Sequence, residues 1–264
     1  MSDFKGKWAL ILGSSSGFGA ATARELAKRG MNIAGVHFDR KSDMDRVNKL
    51  IGELEEEGVE VEFFNGNAAN ERTRKKVLKY LSQGAENPGK VKVLMHSLAF
   101  GSLRAYVGNS DEEKVDSKQM DMTLDVMAHS LVYWTQDVYE AGLIDDDARI
   151  FAMTSAGAHT AWPYYGPVSA AKAALEAHIR QLAYELSEEG ITANAIQAGV
   201  TDTPALRKIP GNDNMIAEAK RRNPSGRLTT PEDVAGLIAV LSGSESGFVT
   251  GNVIRCDGGE DIVS

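Results

Sequence analysis

The chain has 264 residues, of which 42% are hydrophobic and 25% are charged, and this ordinary globular usage excludes a disordered or fibrous protein. Asp and Glu outnumber Lys and Arg by 37 to 29, for a formal net charge of −8, which disfavours nucleic acid or an anionic membrane as the main partner. The single cysteine, Cys256, excludes an internal disulfide framework and is typical of a reducing compartment.

The first apolar run, residues 8–12, is too short for the core of a signal peptide. No stretch approaches the roughly 18 apolar residues that a membrane span requires. We therefore expect a cytoplasmic protein without a membrane partner.

Seven short apolar runs predict strands that are buried on both faces. They lie at residues 8–12, 31–36, 59–64, 91–98, 150–153, 191–196 and 249–254. Segments of helical period alternate with them, among them 20–29, 120–140 and 170–186. This alternation predicts an α/β fold: one Rossmann-like doubly wound domain over residues 1–264, with about seven parallel strands flanked by helices. Ligands of such a sheet bind at the carboxyl ends of its strands.

A glycine loop follows the first strand directly and precedes a helix. Its sequence is Gly13-Ser14-Ser15-Ser16-Gly17-Phe18-Gly19, with the spacing Gly-x-x-x-Gly-x-Gly. Glycines at this place let the backbone approach a pyrophosphate, whose charge the helix N-terminus stabilises. A glycine-rich turn without a ligand is the alternative, and the position at the first strand-to-helix turn disfavours it.

With this loop and this order of elements, the chain resembles the short-chain dehydrogenase/reductase superfamily over its whole length. Residues 256–259, Cys-Asp-Gly-Gly, are also typical of that superfamily. The resemblance implies adenine contacts after the third strand and nicotinamide and phosphate contacts after the sixth. It implies a cofactor site made of Gly13, Ser15, Ser16, Phe18, Gly19, His37, Arg40, Asn67, Ala68, Ser97, Leu98, Ala99, Lys172, Gly199, Val200, Thr201 and Thr203.

The end of the second strand bears on the choice between NAD and NADP. A carboxylate there holds the ribose hydroxyls of NAD, whereas Arg or Lys binds the 2′-phosphate of NADP. Measured from Gly13, His37 falls at the usual place of the NAD-type Asp, with Asp39 slightly beyond it and Arg40-Lys41 next. We favour NADPH, with NADH as the alternative; a solvated charge cluster is the other interpretation of these residues.

The catalytic pair departs from the ordinary superfamily pattern of Tyr-x-x-x-Lys. The matching lysine is Lys172, but the position four residues before it is Val168. Tyr165 instead precedes Lys172 by seven residues, close to two helical turns, so both side chains can face the same side. Gly166-Pro167 predicts that the helix begins just after Tyr165. Ser155 keeps the place of the family serine.

Tyr-x6-Lys resembles the enoyl-acyl carrier protein reductases within the superfamily, as does the His96-Ser97 end of the fourth strand. In an enoyl thioester, hydride goes to the β-carbon while charge appears on an oxygen three bonds away, which suits a displaced phenol. The resemblance implies that Tyr165 stabilises the enolate oxygen, and that Lys172 holds the nicotinamide ribose and favours a more acidic phenol. Ser155 is either catalytic or orienting, because the best-known branch has a second Tyr there.

The substrate is predicted to contact Phe100, Tyr164, Tyr165 and Leu206 beneath a short helical lid at 203–227. The expected partner is an acyl thioester, with an acyl carrier protein as a candidate carrier. The resemblance further implies a homotetramer. The five histidines lack a metal-ligand spacing, so no metal is expected. The alternatives are a carbonyl, 3-oxoacyl or hydroxysteroid-type reductase, and a dinucleotide-binding sensor without turnover.

Overall fold

The computed structural model describes residues 4–86, 88–110, 112–209 and 211–263. Seven strands form one sheet in the order β3-β2-β1-β4-β5-β6-β7, and every neighbouring pair is parallel. The strands are β1 Trp8–Leu12, β2 Asn32–His37, β3 Val61–Asn65, β4 Val91–His96, β5 Ile144–Ser155, β6 Thr192–Ala198 and β7 Val253–Cys256. The predicted doubly wound α/β fold is confirmed.

Helices cover both faces of the sheet. They are α1 Gly17–Lys28, α2 Met44–Glu55, α3 Glu71–Lys79, α4 Ser117–Leu124, α5 Ser130–Glu140, α6 Gly166–Glu185, α7 Asn212–Arg222 and α8 Pro231–Leu241. Helices α1, α2 and α8 pack on one face in one apolar cluster, and α3, α5 and α6 pack on the other in a second cluster. Strand β1 is buried throughout, and its successive side chains point alternately into the two clusters.

The fifth strand is longer than its apolar run predicts. It begins at Ile144, and its first residues include three consecutive aspartates, residues 145–147, which conceal a strand from hydrophobicity. The structure accounts for these charges because Lys7 binds Asp145, and Lys92 and Arg149 both bind Asp147. Three cations, of which Lys92 and Arg149 are buried, thus allow acidic residues at the start of a central strand.

The helix predicted over 120–140 is interrupted by a π-helical turn, Asp125–His129, which separates α4 from α5. After it, the Ser130 hydroxyl donates to the Val126 carbonyl at 2.8 Å, and the Nε2 of His96 lies 2.9 Å from the same hydroxyl. Such turns carry one extra residue and are frequent near functional sites. His96, fully buried, joins this helix to the end of β4.

The strand order reverses between β1 and β4, which opens a crevice at the carboxyl ends of these two strands. The glycine loop after β1 and residues 97–101 after β4 border this crevice. Among the described residues, no helix has the length and apolar character needed to cross a membrane.

Candidate active site

The glycine loop folds so tightly that side chains do not fit at two of its positions. A Cβ on Gly13, whose φ is +90°, would lie 2.2 Å from the Ser97 carbonyl oxygen, and one on Gly19 would lie 2.1 Å from the Gly13 carbonyl oxygen. Helix α1 starts inside this loop; its Ser16 cap makes no side-chain hydrogen bond, and its first turn carries no acidic residue. The N–H groups of this helix end are therefore suited to an anion such as a pyrophosphate.

At the end of β2, one carboxylate lies beside the glycine loop. Asp39 accepts from His37 Nδ1 at 2.9 Å and from Arg46 at 2.8 Å, and Arg46 also donates to the Ser15 carbonyl. The pKa of Asp39 lies below its ordinary value. Burial of the carboxylate raises this pKa, but the hydrogen bonds with Ser15 and His37 lower it and prevail. His37 itself is buried, which lowers its pKa. Arg40 is exposed.

Two exposed aromatic side chains face each other across the crevice. The rings of Phe38, after β2, and Phe100, after β4, meet edge to face with centroids 6.4 Å apart. After β3, Asn67 accepts the Ala69 N–H, and the Ala68 carbonyl accepts from Trp134 Nε1 at 2.8 Å. The residues predicted from sequence to bind adenine thus lie at the same carboxyl edge as the glycine loop.

Tyr165 is the N-cap of α6, with Pro167 in the first turn, as Gly166-Pro167 predicts. Its hydroxyl lies 3.5 Å from the Ser155 hydroxyl at the end of β5, and its ring packs against Trp162 with centroids 5.2 Å apart. Gly157 leaves room for that ring, since a Cβ there would lie 2.4 Å from it. Burial raises the pKa of Tyr165, and the hydrogen bond with Ser155 partly opposes this.

Lys172 points from α6 into the interior, where its side chain is almost fully buried. Its ammonium donates to the Met153 carbonyl at 2.7 Å and to the Leu98 carbonyl at 3.5 Å. Burial lowers the pKa of Lys172 to about 8, against the opposing charge of Glu176. Glu176, one turn further along α6, accepts from the Thr154 hydroxyl at 2.6 Å.

Tyr165, Lys172 and Ser155 line one mainly apolar cavity of about 360 Å³. Val168, at the ordinary position of the catalytic tyrosine, also lines it. Seven of the predicted cofactor residues and two further predicted substrate residues reach this cavity: Phe18, Ala99, Lys172, Gly199, Val200, Thr201, Thr203, Phe100 and Leu206. The structure thus places these predicted residues around one cavity, while the other predicted cofactor residues are outside its described lining.

Tyr164 takes a different place from the one predicted. It adopts a left-handed φ of +63°, is 51% exposed, and is not among the described residues that line the cavity. The left-handed backbone turns its side chain outward while the adjacent Tyr165 turns inward. Tyr164 is therefore at the rim at most, and the cavity wall contains Trp162 instead.

The predicted lid contains a short 3₁₀ turn, Leu206–Lys208, and helix α7; Pro210, within the predicted range, lies outside the described residues. Met215 on α7 and Leu206 line the cavity. Three basic side chains of this segment are ion-paired inside the chain: Arg207 with Asp202 and Asp213, Arg221 with Glu218, and Arg222 with Glu260.

Two acids near the site, the half-buried Glu176 and the buried Glu260, were missed by sequence reasoning. Glu176 follows Lys172 by four residues on one helix, and that spacing was a readable signal. Glu260, a buried carboxylate in the cavity wall, follows α8 and β7 and has no such signal. Among the described residues, no group of three or more His, Cys, Asp or Glu side chains has the arrangement of a metal site.

The family model described as Enoyl-(Acyl carrier protein) reductase matches residues 13–260, from the first glycine of the loop to this buried glutamate. The chain belongs to this family of short-chain dehydrogenases/reductases. Members bind NAD(H) or NADP(H), and the chain is an NAD(P)-dependent oxidoreductase of the superfamily. The uncapped helix end and the close-packed glycines described above fit such a dinucleotide.

Relatives within the superfamily have diverse activities. The chain is 28% identical to the 1-cyclohexenylcarbonyl-CoA reductase of Streptomyces collinus, covering 97% of this chain and 87% of that one. It is also 28% identical to the cyclohexanol dehydrogenase of Rhodococcus sp., covering 97% and 96%. The crystal structure of the enoyl-[acyl-carrier-protein] reductase (NADH) from Aquifex aeolicus superposes with a TM-score of 0.85 at 25% identity, covering 99% and 98%.

Proposed function

We propose that this chain reduces the 2,3 double bond of an enoyl thioester, as an enoyl-acyl carrier protein reductase does, with NADPH preferred and NADH as the alternative. The observation that carries the proposal is the place of the phenol. Tyr165 is the N-cap residue of α6 and lines the cavity, whereas Val168 occupies the position of the tyrosine in an ordinary Tyr-x-x-x-Lys pair.

The distance between the reacting atoms explains why the phenol is displaced. In a ketone, the carbon that receives hydride carries the oxygen that must be protonated. In an enoyl thioester, hydride reaches the β-carbon and charge develops on the thioester oxygen, three bonds away. Three extra residues between Tyr and Lys correspond to about 4.5 Å along a helix. A phenol displaced from its ordinary position suits this second geometry.

The bound dinucleotide would supply the hydride from its nicotinamide ring, and a proton that derives from solvent completes the reduction at the α-carbon. Tyr165, protonated because burial raises its pKa, donates a hydrogen bond to the oxygen on which charge develops. Lys172 uses two of its three N–H donors on the Met153 and Leu98 carbonyls, so the third is available to a ribose hydroxyl. The apolar walls exclude water, which strengthens both interactions.

The charges at the end of β2 support NADPH. Arg46 offsets the carboxylate of Asp39, and Arg40 and Lys41 follow on the exposed surface. Arg40, Lys41 and Arg46 are thus three cations in the segment where a 2′-phosphate would lie.

The lid offers less free positive charge to an acidic carrier. Arg207, Arg221 and Arg222 are already ion-paired with carboxylates of the same chain. We accordingly propose the thioester itself, free or carried, as the recognised substrate.

A ketone reductase is the second candidate. The contact between the Ser155 and Tyr165 hydroxyls favours it, because two adjacent donors also suit a carbonyl oxygen. The similarity to a cyclohexanol dehydrogenase agrees with this alternative.

The test follows NADPH and NADH oxidation with crotonyl-CoA and acetoacetyl-CoA in parallel. We expect turnover of crotonyl-CoA, with the higher kcat/KM for NADPH, that falls at least about 100-fold in Tyr165→Phe. Tyr164→Phe is the matched control and should retain activity. Turnover of acetoacetyl-CoA alone would overturn the proposal in favour of the ketone reductase, and loss of activity in Tyr164→Phe but not in Tyr165→Phe would assign the hydrogen bond to the thioester oxygen to Tyr164 instead.

A further inference from the structure

A buried carboxylate that takes no part in this mechanism lies in the wall of the cavity. Glu260 follows β7 in the 3₁₀ turn Glu260–Ile262, is 4% exposed, and lines the cavity together with Lys172 and Thr201. Removing an ionisable group from water is costly unless partners compensate. The groups that contact the Glu260 carboxylate therefore indicate its role.

The first partner is the turn after β6. Glu260 Oε2 accepts the Val200 backbone N–H at 3.1 Å. The carboxylate also presses on the preceding residue: a Cβ on Gly199 would lie 2.8 Å from Glu260 Oε2 and 2.5 Å from the Thr229 hydroxyl. Glu260 thus contacts the backbone at Gly199 and Val200 from within the cavity wall and limits how that backbone can move.

The second partner belongs to the lid. Arg222, the last residue of α7, brings its guanidinium to 3.8 Å from Glu260 Oε1, and its buried Nε has no hydrogen-bond partner within the part of the chain that the structure describes. The next residue, Asn223, donates to the Asp257 carbonyl at 2.8 Å. The end of the lid helix is therefore attached to the same chain segment that supports the 199–201 turn.

The position of the reactive cofactor end follows from the cavity. The nicotinamide must lie within reach of Tyr165 and Lys172, and residues 199–201 line the same cavity as that pair. The glycine loop and the end of β2 would hold the adenosine half of the dinucleotide, and of these residues only Phe18 lines the cavity. A residue that orients the 199–201 turn consequently acts on the nicotinamide half of the dinucleotide and leaves the adenosine half untouched.

We propose that Glu260 is a positioning residue that holds the 199–201 turn against the nicotinamide end of the cofactor, and that Arg222 couples this turn to the lid helix α7. The inference rests on the dinucleotide part of the proposed function and is independent of which substrate is reduced.

The experiment compares the whole dinucleotide with its adenosine half. Dissociation constants are measured by calorimetry for NADPH and NADH, and for 2′-phospho-ADP-ribose and ADP-ribose, in Glu260→Leu, Arg222→Met and the wild-type protein. The Leu side chain can neither accept from Val200 nor form an ion pair with Arg222, whereas Arg222→Met removes only the connection to the lid helix. We expect both variants to bind the preferred dinucleotide about 10-fold more weakly, with unchanged affinity for the ADP-ribose fragments.

The matched controls are Glu218→Gln and Arg221→Met, which break an exposed ion pair on the same helix and should change neither affinity. An equal loss of affinity for dinucleotide and fragment in the Glu260 and Arg222 variants would show a merely structural role and overturn the proposal. Unchanged affinity for both ligands would overturn it as well. Thermal midpoints identify any variant that fails to fold, in which case the other variant carries the test. Failure to reduce crotonyl-CoA leaves these binding results interpretable.

Discussion

The hydroxyl of Tyr165, at the start of α6, lies 3.5 Å from the hydroxyl of Ser155, at the end of β5. This contact opposes the rise in the pKa of Tyr165 that burial causes. The two residues enter the cavity from different elements, so each fixes the other's orientation at the point where a substrate oxygen would be bound.

Replacing Ser155 by Ala removes this hydrogen bond and leaves a less acidic phenol. We expect kcat for the accepted substrate to fall about 10-fold with little change in KM, because the lost interaction strengthens in the transition state. Thr160→Val is the control, since that hydroxyl donates to the nearby Ala156 carbonyl and does not line the cavity among the described residues. A kcat equal to that of the wild-type protein would exclude a catalytic contribution of Ser155.

Lys172 makes the free energy of unfolding depend on pH in a definite direction. Its pKa is about 8 in the folded protein, against an ordinary value of 10.5 for a solvated lysine, so between these values the unfolded chain binds more protons. Stability must then rise with pH across this window. Relative to Lys172→Met, the wild-type protein should gain about 3 kcal/mol between pH 7.5 and pH 10.5.

Denaturant unfolding of both proteins at several pH values measures this difference, because contributions of all other groups are common to both. Lys75→Met, at an exposed position on α3, is the control and should follow the wild-type curve. A pH-independent difference between wild type and Lys172→Met would contradict the burial of a titrating ammonium.

Two Gly→Ala substitutions, one in the glycine loop and one in helix α2, should differ in their effects. The first should weaken dinucleotide binding, and the second should stabilise the fold. In Gly19→Ala the new Cβ would meet the Gly13 carbonyl oxygen at 2.1 Å, so the loop backbone must shift. We expect dinucleotide affinity to fall at least about 10-fold. In Gly52→Ala, inside α2, the Cβ meets nothing within 4 Å, and helix propensity should stabilise the fold by about 0.5–1 kcal/mol.

Calorimetric binding of NADPH and thermal unfolding measure the two effects separately. If Gly19→Ala bound the dinucleotide as tightly as the wild-type protein, the loop would not be the pyrophosphate site.

Local patterns in the sequence were sufficient for the sheet and the glycine loop, and the resemblance to the superfamily singled out Tyr165 and Lys172, which the structure places in one cavity. Buried parallel strands are continuous apolar runs, a helix start is marked by Gly-Pro, and a catalytic spacing along one helix is a matter of helical period. These features depend on neighbours in the chain, and they are therefore readable from it. The acidic start of β5 and the π-helical turn after α4 were missed, because distant partners such as Lys92 and His96 stabilise them.

The sequence by itself therefore determined the family fold, the cofactor loop and which side chains carry the proposed chemistry. Only the tertiary structure decided that Tyr165 and not Tyr164 faces the cavity, since a left-handed backbone at one residue reverses the direction of a side chain. Only the tertiary structure brought Glu260 to Val200 and Arg222. Contacts between residues so far apart in the chain arise from the packing of whole elements, and no local pattern of residues encodes them.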